Sequence, residues 1–98
     1  MTTLKITAAV KDDMYQCEYH TRADRPNEPE AMKVYSRIAD TKSTRKDGSI
    51  SIEVSEAELD ELYREAEYSG DSTSAVEPGA GYIRAWAGLK RQIEKARG

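Results

Sequence analysis

Residues 49–70 constrain the fold more than any other part of the chain, with the sequence SISIEVSEAELDELYREAEYSG. Apolar and polar residues alternate from Ile50 to Val54, which places every second side chain on one face of a strand. Ser55 then suits the N-cap of a helix, because its hydroxyl can accept from free N–H groups of the first turn. Glu58 can in turn accept from the backbone N–H of Ser55 and complete a capping box. This stretch therefore predicts a strand that runs directly into a capped helix.

The predicted helix carries apolar residues three and four positions apart, which is the spacing of one helical face. Those residues are Leu59, Leu62, Tyr63 and Ala66. Gly70 is predicted to end the helix in the left-handed conformation that glycine adopts at helix C-termini.

The first half of the chain predicts three further strands. Alternation marks a strand over residues 4–10 and a second over 14–20, and the polar turn between them makes the pair a hairpin. Residues 31–40 fit either a third strand or a helix opened by Pro29. We favour the strand, because the turn signal at residues 46–48 indicates a hairpin and the strand after it needs a partner.

A second helix is predicted near the C-terminus, after a Ser- and Gly-rich loop over residues 69–81. It runs from Tyr82 to Ala96 and has a regular apolar stripe. The stripe consists of Tyr82, Trp86, Leu89 and Ile93. The assembled prediction is a single α+β domain over residues 1–98: an antiparallel four-stranded meander with the two C-terminal helices packed on one face.

Aromatic residues must supply much of the buried area, because the chain has six Tyr and one Trp but no Phe. A core built from so little apolar material is only marginally stable, so we expect self-association as a further source of stability. Cys17 is the single cysteine, which excludes an intrachain disulfide. The sequence has no apolar run typical of a signal peptide or a membrane span, so we expect a cytoplasmic protein.

Patterns typical of catalysis or metal binding are not found in the sequence. Cys17 and His20 are three residues apart in a predicted strand, so the thiol and the imidazole should face opposite sides. The chain lacks a Cys and His cluster with zinc-site spacing and the dense acidic spacing of a calcium loop. The EPGAG turn at residues 77–81 lacks the lysine and hydroxyl residue of a phosphate-binding loop. We therefore expect no enzymatic activity, no metal and no cofactor.

Charge divides the second half of the chain into an acidic part and a basic part. Residues 53–79 carry nine acids and one base, whereas residues 80–98 carry five bases and one acid. The acidic helix is expected to steer towards a basic groove on a nucleic-acid-handling protein, with tyrosines at the contact surface. The residues predicted to bind this partner are Glu56, Asp60, Glu61, Glu65, Glu67, Tyr35, Tyr68 and Tyr82.

The leading interpretation is a small cytosolic protein-binding module that inhibits its partner by covering a surface. In size, acidity and lack of motifs, the chain resembles the small phage-encoded inhibitors of bacterial defence systems, such as anti-CRISPR proteins. The resemblance is one of general profile. It therefore implies a mode of action, occlusion of a site on a larger protein, and assigns no roles to individual residues.

Two other interpretations remain open. One is a nucleic-acid-binding accessory protein that contacts phosphates through a hairpin tip at residues 42–46 and the basic C-terminal helix. The acidic sequence pI, about 5.2, counts against it. Its cations would be Lys42, Arg45, Lys46, Arg84, Lys90, Arg91, Lys95 and Arg97. The other is a homodimeric structural protein whose helices pack on their mates.

Overall fold

The computed structural model describes residues 1–16, 29–70 and 80–98. Within them the chain forms two strands, four α-helices and a 3₁₀ turn. The elements are β1 (Thr2–Ile6), α1 (Ala8–Gln16), the 3₁₀ turn (Glu30–Met32), α2 (Lys33–Asp40), β2 (Ile50–Val54), α3 (Glu56–Ser69) and α4 (Ala80–Arg97). The class is α+β, but the predicted four-stranded meander with two C-terminal helices is wrong. Two of the predicted strand regions are helical in the described residues, and the sheet there has two strands.

The two strands run antiparallel, with Thr2 opposite Val54 and Ile6 opposite Ile50. One face of this sheet packs on the helices, and the other is open to solvent. The buried side chains of the inner face are Leu4, Ile6, Ile50 and Val54, and the exposed side chains of the outer face are Thr3, Lys5, Ser51 and Glu53. The alternation that predicted β2 is therefore confirmed.

A helix begins directly after β1, where the sequence pattern predicted a continued strand. The Thr7 hydroxyl accepts from the Val10 amide at 3.4 Å, a long contact at the start of α1. Val10 and Met14 are both buried, and a spacing of four puts them on the same side of a helix. Residues 14–16 of the predicted second strand belong to α1, and residues 17–20 lie outside the described residues.

A helix also forms over residues 33–40, so the strand that we favoured there is wrong and the alternative is correct. Its buried residues recur at helical spacing, and they are Val34, Tyr35, Ser36, Ile38 and Ala39. The strand interpretation depended on β2 needing a nearby hairpin partner. That partner is β1, near the N-terminus of the chain, so residues 33–40 are free to form a helix whose apolar side chains join the core.

The capped helix after β2 is confirmed in detail. The Ser55 hydroxyl accepts from the Glu58 amide at 3.2 Å, and Glu58 Oε1 accepts from the Ser55 amide at 2.7 Å. The helix ends at Gly70, but with φ −89°, so the predicted left-handed conformation is wrong. Glycine is needed there for a different reason, because a Cβ on Gly70 would lie 2.7 Å from the Ala66 carbonyl oxygen and 3.1 Å from the Ala87 amide nitrogen.

The second predicted helix is also confirmed, and α4 packs antiparallel on α3. Gly70 at the end of α3 lies against Ala87, and Asp60 near its start pairs with Arg97 at the end of α4. On another side, the Trp86 indole N–H donates to Asp13 of α1 at 2.8 Å. The core is thus one cluster of apolar side chains drawn from both strands and all four of these helices.

Gly48, in the turn before β2, gives the first testable prediction. Its φ is +76°, and an added Cβ would lie 2.9 Å from the Ala8 Cβ. Gly48→Ala should therefore lower the free energy of unfolding by about 2 kcal/mol, measured by urea denaturation. The matched control is Gly88→Ala within α4, where the nearest atom is 3.8 Å away. The control should be neutral or stabilising by up to about 1 kcal/mol, and equal losses at the two positions would contradict this account.

Candidate partner-binding surfaces

The outer face of α3 carries about half of the residues that the sequence predicts to bind a partner. Its exposed side chains, which we call the acidic face, are Glu56, Asp60, Arg64, Glu67 and Tyr68. They lie opposite the buried Leu59 and Leu62, as expected at 3.6 residues per turn. Tyr68 is 72% exposed at the end of this face. The acidic face therefore combines three carboxylates, one cation and an aromatic ring in contact with solvent.

Tyr35 and Glu61, both predicted contact residues, are engaged within the fold. The Tyr35 side chain is 3% exposed, and its hydroxyl donates to the Glu61 carbonyl oxygen at 2.7 Å. The Glu61 carboxylate also pairs with Arg64 at 3.0 Å. This arrangement fixes α2 to α3 and leaves the Tyr35 ring inaccessible to a partner.

Three other predicted contact residues also form contacts within the fold. Asp60 forms an ion pair with Arg97 of α4. Glu65 accepts a hydrogen bond from the Ser69 hydroxyl at 3.2 Å. Tyr82 is partly buried and donates to the Asp12 carboxylate. Among the predicted acids, Glu56 and Glu67 are therefore the two that are exposed and form no ion pair with another described residue.

The contact between α3 and α4 joins the acidic helix to the basic one around Tyr63. The Tyr63 hydroxyl donates to Glu94 at 3.0 Å, and the Lys90 Nζ and the Arg97 guanidinium each lie 5.8 Å from its ring centroid. The hydrogen bond to Glu94 raises the pKa of Tyr63 above its ordinary value of 10.0, since a phenolate would face a carboxylate. Some of the charged side chains of these helices are therefore already in contact with other groups of the same molecule.

Glu58 belongs to an ion pair that sequence reasoning missed. Arg37 of α2 donates from Nη1 to the Glu58 carboxylate and from Nη2 to the Glu53 carbonyl oxygen, both at 2.9 Å. Burial alone would raise the pKa of Glu58, but hydrogen bonds from Ser55 and Arg37 outweigh it and lower the pKa below the ordinary value of 4.5. Arg37 and Glu58 are far apart in sequence, so no local pattern could have paired them.

A basic row runs along the outer face of α4. Arg84, Arg91 and Lys95 are seven and four residues apart, so they lie on one side of the helix. All three are exposed, and none forms an ion pair with another residue that the structure describes. The other two cations of this helix, Lys90 and Arg97, lie beside Tyr63 instead.

The turn at residues 42–48 folds against the outer face of the sheet and does not form the predicted hairpin tip. Arg45 donates from Nη2 to the Ser51 hydroxyl at 2.7 Å. Asp47 accepts from both the hydroxyl and the amide of Ser49 at 2.7 and 2.9 Å. These hydrogen bonds, with a smaller contribution from Lys5, lower the pKa of Asp47 below its ordinary value of 3.8.

Lys5 connects the two basic regions, and sequence reasoning missed its role. On the sheet it lies opposite Ser51, whose hydroxyl Arg45 contacts. Its backbone faces α4, where the Gln92 side chain accepts from the Lys5 amide at 2.7 Å and donates to the Lys5 carbonyl at 2.9 Å. Lys5 therefore contacts both the turn, through Asp47, and α4, through Gln92, although these two parts are distant in sequence.

The sequence argument about Cys17 and His20 concerns residues outside the described part of the chain. Within the described ranges, no three His, Cys, Asp or Glu side chains are grouped so as to hold a metal ion. None of the helices described here is long and apolar enough to span a bilayer. The chain matches no family model, no curated protein and no solved structure.

Proposed function

We propose that the protein is a non-catalytic binding module that captures a protein partner through the acidic face of α3. The single observation that carries this proposal is Tyr68, a large aromatic side chain left 72% exposed beside Glu67. Exposed tyrosines are typical of protein interfaces, because the ring contributes apolar area and the hydroxyl remains able to hydrogen-bond.

The charge along the acidic face supports a partner with a basic surface. Glu56 and Glu67 are exposed and have no ion pair among the described residues. Asp60 is paired, but its side chain remains 63% exposed. Carboxylates at the rim of an interface accelerate encounter with a cationic patch and select against acidic partners. A partner that uses such a patch to hold nucleic acid would be inhibited by occlusion of that patch.

The test compares a charge reversal at Glu67 with one at the control residue Asp40, both in the purified, tagged protein. Glu67→Lys and, separately, Tyr68→Ala should each weaken partner capture at least about tenfold, because they remove the unpaired charge and the exposed ring at the C-terminal end of the face. The matched control is Asp40→Lys, an exposed acid at the end of α2. Proteins captured from a host lysate are identified by mass spectrometry, and the affinity of each is then measured with purified components at several salt concentrations.

These variants replace reversals at Glu61 and Glu65, which a sequence-based design would choose. Glu61 is held by Tyr35 and Arg64, so changing it would confound loss of folding with loss of binding. A partner that binds the Glu67→Lys and Tyr68→Ala proteins as tightly as the Asp40→Lys protein would refute the proposed surface.

A second candidate function is binding of a nucleic-acid backbone through the basic row of α4. The observation that favours it is that Arg84, Arg91 and Lys95 share one exposed face without acidic partners in the described chain. In this case Arg91→Glu with Lys95→Glu should weaken oligonucleotide binding and reduce its salt dependence. Glu67→Lys should leave that binding intact or strengthen it, the reverse of the result expected for the protein-binding proposal.

A further inference from the structure

A groove lies on the flank of α4 that faces away from α3, and we call it the α4–β1 groove. It has a volume of about 270 Å³ and lies between α4, β1 and the start of α1. We propose that the α4–β1 groove binds an acidic segment of a partner protein that inserts one aliphatic side chain. This site is separate from the acidic face of α3, and the inference goes beyond the function proposed for that face.

The floor of the groove is apolar and firmly packed. Val10 and Leu89, at 1% and 3% exposure, belong to the core cluster, so they do not need to move when a ligand arrives. The depression exists because the neighbouring positions on α4 are small, Ala85 and Gly88. A branched aliphatic side chain matches the chemistry of this lining and fits within the groove volume.

The same lining argues against a nucleobase as the occupant. The described residues around the groove include no aromatic ring. Proteins that hold unstacked bases commonly do so by stacking them on aromatic side chains. An aliphatic side chain needs no such platform, so the floor favours a peptide over a nucleic acid.

The rim of the groove supplies the charge selection. Lys5 lies on the β1 side and Arg84 on the α4 side, and no acid is among the residues that line the groove. Lys5 is 3.6 Å from Asp47, and both side chains are 58% exposed, so this ion pair is weak and easily exchanged. A peptide with carboxylates on either side of its apolar residue would meet one cation at each rim.

Gln92 determines how such a segment can bind. Its side-chain amide bonds both the N–H and the C=O of Lys5, so it occupies the place that a further strand would take beside β1. Addition of a strand at Lys5 is therefore blocked, and recognition must come from side chains that enter the groove. This makes groove shape and rim charge the two properties to test.

The experiment measures fluorescence anisotropy of a labelled peptide with one leucine flanked by aspartates, at low salt, on the full-length protein. Arg84→Glu should weaken binding at least about fivefold, because it reverses one rim charge. Gly88→Leu should abolish binding by filling the groove, and leucine at this position favours the helix, so lost binding does not reflect unfolding. Lys33→Glu, which reverses a partly exposed cation of α2 that does not line the groove, is the matched control and should change binding less than about twofold.

Absence of binding by the wild-type protein, or equal losses of affinity in the Arg84→Glu and Lys33→Glu proteins, would overturn the proposal. The proposal would also be overturned if a single-stranded oligonucleotide bound the wild-type protein but not the Gly88→Leu protein, while the peptide bound neither. A dimer seen by light scattering and lost in Gly88→Leu would assign the groove to a second copy instead. Peptide binding that survives in the Glu67→Lys protein would support the groove independently of the α3 surface.

Discussion

Replacing Trp86 by alanine should destabilise the protein more than any other single change considered for it. Trp86 is the largest fully buried side chain and is 1% exposed. Truncating a buried Trp commonly costs about 4 kcal/mol, the lost transfer free energy plus the cavity left behind. A domain of this size has a total stability of about 5–15 kcal/mol. The Trp86→Ala protein should therefore unfold at a much lower urea concentration than the wild type, with only about 1 kcal/mol of stability left at the low end of this range. Urea denaturation followed by circular dichroism measures the loss.

A second variant at the same position separates packing from hydrogen bonding. Trp86→Phe keeps much of the ring but loses the 2.8 Å bond from the indole N–H to Asp13. It should cost about 1.5 kcal/mol, since Asp13 is partly exposed and can be hydrated in the variant. Tyr68→Ala is the exposed aromatic control and should change stability by less than about 0.5 kcal/mol. Similar losses for Trp86→Ala and Tyr68→Ala would show that α4 does not pack on the core as described.

Removing the Glu58 side chain should have the next largest effect, about 2–3 kcal/mol for Glu58→Ala. This carboxylate completes the capping box at Ser55 and pairs with Arg37 of α2, so its loss affects both the start of α3 and the contact between two helices. Glu58→Gln preserves the cap, because a glutamine oxygen can also accept from the Ser55 amide. Glu58→Gln should therefore lower the free energy of unfolding by only about 1 kcal/mol, the part that depends on the charge paired with Arg37.

The contribution of Glu58 also depends on pH with a definite sign. Its pKa in the folded protein lies below the ordinary value of 4.5. A lowered pKa means that the ionised carboxylate stabilises the fold, so the contribution is complete above 4.5 and decreases as pH falls towards the folded-state pKa. The stability difference between wild type and Glu58→Gln should thus be constant near neutral pH and shrink below about pH 4.5. A difference that does not change between neutral and acidic pH would contradict the assignment of the charge to this ion pair.

The parts of the fold that sequence predicted well are those that local interactions specify. Ser55 and Glu58 are three residues apart, and their reciprocal hydrogen bonds involve only the first turn of one helix. The apolar stripe from Trp86 to Ile93 likewise has the period of a helix wherever it packs. By contrast, Leu4–Val10 alternates like one strand, yet the chain turns into α1 at Ala8, because Val10 and Met14 bury more effectively from a helix beside α2 and α4.

The candidate surfaces show the same division at the level of single residues. The sequence identified the acids of α3 but not which of them form contacts inside the fold. Those contacts come from Tyr35, Arg37 and Arg97, which lie on other elements. The sequence also identified the cations of α4 but not Lys5, which lies near the other terminus and is held beside α4 by its backbone hydrogen bonds to Gln92.

The sequence by itself determined α3, α4 and the inner face of β2, because capping and periodic burial act over a few residues. Only the tertiary structure decided that β2 pairs with β1, that α1 and α2 are helices, and which charges remain free. These outcomes depend on contacts between residues far apart in the chain, where several local conformations are nearly equal in free energy and burial against the shared core selects one.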